Sequence, residues 1–273
     1  MNAPGFSTLT VTLSDKIAEV CLDRPDKSNA MNAAMWQEIR QAFEWIDGTP
    51  EARVAILSGA GKNFCAGIDL AMLAGVQQQI ANPDGARSRE ALRRLILDLQ
   101  DCLSSIERCR KPVLAAIQGA CVGGALDLVT CCDMRYAAAD AIFSVKEIDL
   151  GMVADVGTLQ RLPRLIGDGM TRELAYTGRN VDASEAEKLG LVNRIFASPA
   201  TLSADVRQLA KTIAAKSPLA TRGLKEVINY SRDHSVSDGL NYVATWNAAM
   251  LLSADLNESI SAQQERRPPR FAD

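Results

Sequence analysis

Two short runs, residues 54–58 and 113–118, are apolar almost without a break, and each leads into a glycine-bearing turn that opens a helix. A strand with no polar alternation has both faces covered, which is the environment of a parallel sheet. Residues 134–137 and 142–145 repeat the strand signal after the second helix. Strand, turn and helix in repeated order predict a right-handed βαβ superhelix. The flanking sequence agrees. Residues 8–13 and 17–22 read as a hairpin around Ser14-Asp15-Lys16. Residues 32–46 place Met35, Trp36, Ile39, Phe43, Trp45 and Ile46 at helical spacing. Residues 91–108 form an amphipathic helix stopped at Lys111-Pro112. Between these helices, residues 77–89 are polar, contain Asn82-Pro83-Asp84-Gly85, and read as a mobile loop.

Past Asp155 the strand signals nearly vanish. Residues 158–165, 171–177, 183–189, 202–216, 219–232 and 238–256 read as helices, with Ser237 as N-cap of the last. Gly190-Leu191-Val192 stops one of them before a short strand at 192–196. The fold class is therefore α/β: a strand–helix core over residues 1–200 and a helical C-terminal region over 201–273.

Composition excludes several functions. Net charge is −3, so no field for nucleic acid or an anionic membrane is implied, although local basic residues can still hold one anion. No apolar run approaches the roughly 20 residues of a membrane span. The start, Met1-Asn2-Ala3-Pro4-Gly5, lacks a basic region followed by an apolar one, and the end, Pro269-Arg270-Phe271-Ala272-Asp273, carries no Ser-Lys-Leu type address. A cytoplasmic location is expected. The cysteines (Cys21, Cys65, Cys102, Cys109, Cys121, Cys131, Cys132) are odd in number, without Cys-x-x-Cys, and read as buried reduced thiols. The lone histidine, His234, lies in a polar turn and reads as a surface or capping residue. No metal site on histidine or a cysteine cluster is expected. Gly-x-x-x-x-Gly-Lys-Ser/Thr is absent, and a dinucleotide-binding frame lacks its acidic ribose ligand.

The chemistry concentrates between Asp127 and Asp155. Three carboxylates stand there in apolar, glycine-punctuated sequence: Gly123-Gly124-Ala125-Leu126-Asp127, Ser144-Val145-Lys146-Glu147, and Met152-Val153-Ala154-Asp155-Val156-Gly157. Acids normally stay where water reaches them. Three in such a stretch suggest a pocket for proton transfer; helix caps and surface acids are the other reading. The two turns, Ala66-Gly67-Ile68 and Gly123-Gly124-Ala125, each present backbone N–H groups at a helix start. Two such groups converging on one point make an oxyanion hole. Close helix–strand packing that merely needs small residues is the alternative.

Phe64-Cys65-Ala66-Gly67-Ile68-Asp69-Leu70, Lys111-Pro112-Val113 with Gly119 through Asp133, and Gly190-Leu191-Val192 resemble the enoyl-CoA hydratase/isomerase (crotonase) superfamily. Residues 145–163, from Val145-Lys146-Glu147 to Arg161-Leu162-Pro163, resemble its dienoyl-CoA isomerase branch. The resemblance implies a crotonase-like spiral of ββα units, a C-terminal region that builds trimers often paired into hexamers, and an acyl-CoA thioester as substrate. No cofactor beyond the coenzyme A of that substrate is implied. By position, the oxyanion hole falls on the N–H groups of Ile68 and Gly124. The acyl-CoA lies along Ala66, Gly67, Ile68, Asp69 and Leu70, and Lys27 either meets a phosphate or is a solvated loop charge.

Simple hydratases of the superfamily carry glutamates at the positions of Asp127 and Glu147 and a small residue near Asp155. The pattern Asp127, Glu147 and Asp155 departs from that and matches the dienoyl isomerases. The implied reaction converts 3,5-dienoyl-CoA to 2,4-dienoyl-CoA in fatty acid β-oxidation. Glu147 is assigned to C2 and Asp155 to C6, with the reverse order also open, and Asp127 tunes the other two or holds a water. The alternatives are an enoyl-CoA hydratase using Asp127 and Glu147 on water, and a non-catalytic acyl-CoA-binding or assembly subunit that keeps the fold. Elsewhere, Asp133 and Arg135 read as a structural pair, Asp69 as a helix cap, Asp149 as a cap or pair partner, and Trp36, Trp45 and Trp246 as core or interface residues.

Overall fold

The computed structural model describes residues 4–273, so Met1, Asn2 and Ala3 of the expected non-signal N-terminus lie outside the described residues. Strands β1 (Leu9–Ser14) and β2 (Ile17–Leu22) pair antiparallel across a two-residue turn. Asp15 and Lys16 both adopt positive φ, +52° and +66°, as a tight turn matched to strand twist demands. Strands β3 (Val54–Gly59), β4 (Val113–Ile117), β6 (Met134–Ala138) and β9 (Arg194–Phe196) then join in parallel, giving the order β1-β2-β3-β4-β6-β9. A smaller sheet holds β5 (Ala120–Val122), β7 (Ile142–Ser144) and β8 (Val181–Asp182) in the order β5-β7-β8. Consecutive strands β4 and β5, then β6 and β7, feed the large and the small sheet in turn. That is the crotonase-like α/β spiral.

Both faces of the large sheet are sealed. On one side lie the helices Ala33–Gly48 and Gly85–Arg108, with Trp36, Ile39, Phe43, Leu103 and Ile106 fully buried. On the other, Leu202, Val206, Ala210 and Ala214 of the helix Pro199–Ala214 pack on Ile56, Leu114 and Tyr136. The division at residue 200 thus falls inside a helix that belongs to the core of the sheet. Every residue of β4 is buried, which is why its sequence shows no alternation.

Four sequence expectations change. Residues 77–89 are not a mobile loop: the helices Leu70–Gln79 and Gly85–Arg108 cover most of them. The Asp84 side chain accepts the Ala86 N–H, so Asp84 caps a helix whose first turns are polar because they face solvent. The expected helix over 238–256 is two, Val236–Met250 and Ala254–Gln264. Ser235, not Ser237, caps the first in a reciprocal box with Asp238, and Ser253 captures the Leu256 N–H to start the second. Asp133 and Arg135 do not pair with each other. Asp133 binds Lys225 at 2.8 Å, and Arg135 donates to the carbonyls of Leu191 and Cys132. Finally, β5 and β8 were too short to show a period. Asp69 does cap its helix, accepting the Ala71 N–H, and Asp149 pairs with Lys146. No helix among the described residues is long and apolar enough to cross a membrane.

Candidate active site

The two glycine turns lie against each other. The segment from Phe64 to Asp69 is stitched on one side to β4–β5 and on the other to residues 28–31. Phe64 N–H donates to Gln118 O, Cys65 N–H to Ala120 O, and Ala66 N–H to Ser28 O. Gly67 O accepts from Met31, and Asp69 N–H donates to Met31 O. Buried Asn29 fixes the neighbouring turn by donating to the carbonyls of Ala60, Asn63 and Phe64. In this ladder Ile68 N–H is passed over. Gly124 N–H, at the start of the helix Gly124–Thr130, is likewise without an acceptor among the described residues. A Cβ built on Gly124 would lie 3.7 Å from Ile68 N, so the two free donors share one small space. Gly67 makes this approach possible. Its φ is +89°, and a Cβ there would stand 2.7 Å from Val122 O.

The acids gather at the same end. Asp127, on the helix Gly124–Thr130, is fully buried, and its Oδ1 accepts the Thr158 N–H at 2.5 Å. Glu147 begins a short turn after β7 and is half-buried. Asp127 Oδ2 and Glu147 Oε2 are each buried without a donor, and the two carboxyls lie close enough for each to act on the other. Neighbouring buried carboxylates resist ionising together, so one of the two is favoured in its protonated form. Burial raises both above the ordinary carboxylate range. The negative charge of Asp127 adds to the lift on Glu147, while the Thr158 N–H opposes the lift on Asp127. Asp155 lies close enough for its charge to act on both. Its own carboxyl is raised by desolvation, while the residue as a whole reaches solvent. Gly123 brings the turn up to Glu147: a Cβ there would lie 3.4 Å from Glu147 Oε1. Glu147 also stands in the wall of a cavity of about 340 Å³ lined by Val145, Ile148, Met152, Ala154 and Leu159.

So the structure gathers Ile68, Gly124, Asp127, Glu147 and Asp155 at one end of the spiral. Ala66 and Leu70 flank the turn on its exposed side, and Asp69 is held by Arg24 at 3.1 Å. Lys27 sits apart, exposed at the end of the turn Pro25–Lys27, with its charge in reach of Asp69. Two free N–H donors sharing one small space beside a pair of raised carboxyls suit a thioester whose α-carbon gives up a proton.

Residues 12–273 match the enoyl-CoA hydratase/isomerase family. The chain belongs to that family. It is 48% identical to the peroxisomal Delta(3,5)-Delta(2,4)-dienoyl-CoA isomerase of Arabidopsis thaliana, over 100% of this chain and 99% of that one. It is 46% identical to the mitochondrial enzyme of the same name from Homo sapiens, over 96% of this chain and 81% of that one. Among solved structures, an enoyl-CoA hydratase from Bacillus anthracis superposes with a TM-score of 0.89 at 31% identity, covering 97% and 99% of the two chains. The names of the first two relatives overturn the expected cytoplasmic location. Compartment addresses are receptor-read terminal signals, which the physics of the folded body does not encode.

Sequence reading passed over several members of this hydratase/isomerase site. Thr158 holds Asp127 through a backbone N–H, for which no side-chain pattern exists. Asn29 is a buried amide at φ +55°, and its signal was an Asn beside Ser28 after a short turn. Gln100 donates to the Asp155 carbonyl at 2.6 Å from a helix far away in sequence.

Proposed function

We infer that this chain isomerises 3,5-dienoyl-CoA to 2,4-dienoyl-CoA in fatty acid β-oxidation. The observation that carries this reading is the third acid. Asp155 lies close enough to Asp127 and Glu147 for its charge to act on both, so three acids meet at one site. Addition of water across one double bond needs two acids on adjacent carbons. Transposing two double bonds needs proton carriers at C2 and at C6.

The thioester oxygen accepts from Ile68 and Gly124. Glu147 removes a proton from C2, and the electron pair spreads from the thioester oxygen to C6 as a dienolate. Asp155 delivers a proton to C6, leaving double bonds at C2 and C4. The two N–H donors contribute roughly 3–4 kcal/mol each to stabilising the dienolate oxygen, judged from loss of single oxyanion donors elsewhere. Asp127 sets how readily Glu147 ionises. The acyl-CoA runs past Ala66, Gly67, Ile68, Asp69 and Leu70, and Lys27 meets a phosphate of its coenzyme A. No cofactor beyond that coenzyme A takes part. The apolar cavity beside Glu147 receives part of the acyl chain.

The subunits associate as a homotrimer or homohexamer. Supporting this, apolar side chains crowd the surface of the C-terminal helices, with Ile228 66%, Val236 81% and Leu252 92% exposed in the single chain. Light scattering should give a mass of three or six chains, and a monomer would sink this part. The activity itself is tested by absorbance. A 3,5-dienoyl-CoA should give a growing conjugated 2,4-dienoyl chromophore. If no chromophore grows while 2-enoyl-CoA is briskly hydrated, the hydratase reading takes its place.

A further inference from the structure

Behind the acids lies a charged layer that the reaction as described does not use. Arg161, on the helix Thr158–Ile166, has a side chain only 16% exposed. Its Nη2 donates to Glu107 Oε2 at 2.9 Å and to Ser104 Oγ at 3.2 Å. Glu107 in turn pairs with Arg232 from the helix Pro218–Arg232. The Nε of Arg161 is buried with no acceptor. Leaving a buried donor unmet is costly, so the bonds to Glu107 and Ser104 are only part of what fixes this guanidinium.

Gly157 leaves the room that it fills. That residue has φ +134°, and a Cβ built on it would collide with Arg161 Nη1. The guanidinium therefore occupies the space of a side chain at 157. On either side of Gly157 the backbone is tied to the site. The Asp155 carbonyl accepts from Gln100, and Thr158 N–H donates to Asp127 Oδ1. A cavity of about 530 Å³, lined by Gln100, Ser104, Glu107, Gly157, Arg161 and Arg232, opens behind this loop. Without a strut the loop has room to sag into it.

We propose that Arg161, clamped by Glu107, is a positioning residue that braces the 155–158 loop from behind and holds Asp127 and Asp155 in register through it. The inference rests on those acids being the proton carriers. Arg161 also acts by charge. Burial lifts the Asp127 carboxyl most, and the Arg161 cation is among the groups that pull it down. The groups facing Asp127 are Glu147, Asp155, Arg161 and the thiols of Cys121 and Cys131. Those facing Arg161 are Glu107, Asp127 and Cys131, with Arg232 sharing Glu107. Burial pushes the Cys131 thiol up to about 12 and Cys121 well above its ordinary value, so both stay neutral. The acids and the two arginines alone set the local charge.

The test compares Arg161→Gln, Arg161→Lys and Glu107→Gln by pH profile of kcat with a 3,5-dienoyl-CoA, and by infrared titration of the buried carboxyls without substrate. Arg161→Gln should lower kcat about 100-fold, the cost of a misplaced group, with KM little changed. Removing the cation raises the carboxyl pKa, so the acidic limb should move up by roughly 1 pH unit, the low end for losing an opposite charge. Arg161→Lys keeps the charge and should keep the limb near wild type. Glu107→Gln frees the cation from its anion and should move the limb the other way. An Arg161→Gln kcat near wild type, or a limb at the wild-type position, overturns the proposal. So does a Glu107→Gln limb that stays put or moves up, and that variant decides if Arg161→Gln fails to fold. The infrared titration needs no turnover. It still judges Arg161 if wild type forms no chromophore, a result that would sink the isomerase reading instead.

Discussion

Asp155→Asn should cut conversion of 3,5-dienoyl-CoA to 2,4-dienoyl-CoA by at least ~100-fold, the low end for removal of a general acid or base. The amide matches the carboxyl in shape, and Asp155 is exposed, so packing is preserved. What is lost is a proton carrier whose carboxyl is raised by desolvation. The sign of the stability effect follows from that direction. A carboxyl whose folded pKa is raised binds more protons folded than unfolded, so its cost to stability grows as pH climbs past the unfolded value. Asp155→Asn removes that cost and should leave the melting temperature at neutral pH unchanged or slightly higher. Activity lost with the fold intact is the signature sought. Near-normal turnover would reduce Asp155 to a loop acid and return both carbons to the Asp127–Glu147 pair.

Gly67→Ala should strongly damage catalysis. A Cβ there meets Val122 O at 2.7 Å and must adopt φ +89°, so backbone has to shift. The shift falls on the peptide that aims Ile68 N–H. Loss of one oxyanion donor costs about 10²–10³ in kcat, so a drop of that size is expected with substrate binding far less affected. Gly124→Ala is the internal comparison. Its Cβ meets the flexible end of Met31 at 2.9 Å and its φ is not positive, so the side chain can yield and the loss should be smaller. Equal losses in steady-state kinetics would mean that the turns serve packing and not the thioester oxygen.

How much of this was legible follows from range. The covered strands β3 and β4 announced themselves because burial on both faces removes polar residues from consecutive positions. The hairpin at Asp15–Lys16 and the helix capped at Asn32 rest on contacts between residues a few positions apart. Residues 77–89 misled because polarity marks a solvent face of a helix as well as a loop, and only the Asp84 cap separates the two. Val236–Met250 and Ala254–Gln264 blurred into one because both faces of the junction at Leu251 and Leu252 are apolar, while Ser253 ends the run. Asp133 found Lys225 instead of Arg135, since a partner 92 positions away leaves no local trace.

The sequence by itself determined the kinds of group available: three acids in apolar surroundings, two glycine turns after covered strands, and no histidine near them. Those follow from local rules of burial, backbone freedom and period. Only the tertiary structure decided that Ile68 and Gly124 N–H share one space, that the Asp127 and Glu147 carboxyls are neighbours, and that Thr158 ties Asp127 and Gln100 ties the Asp155 backbone. Each of these joins segments separated by tens of residues, and Coulomb and hydrogen-bond energies depend on distances that no spacing along a chain can state.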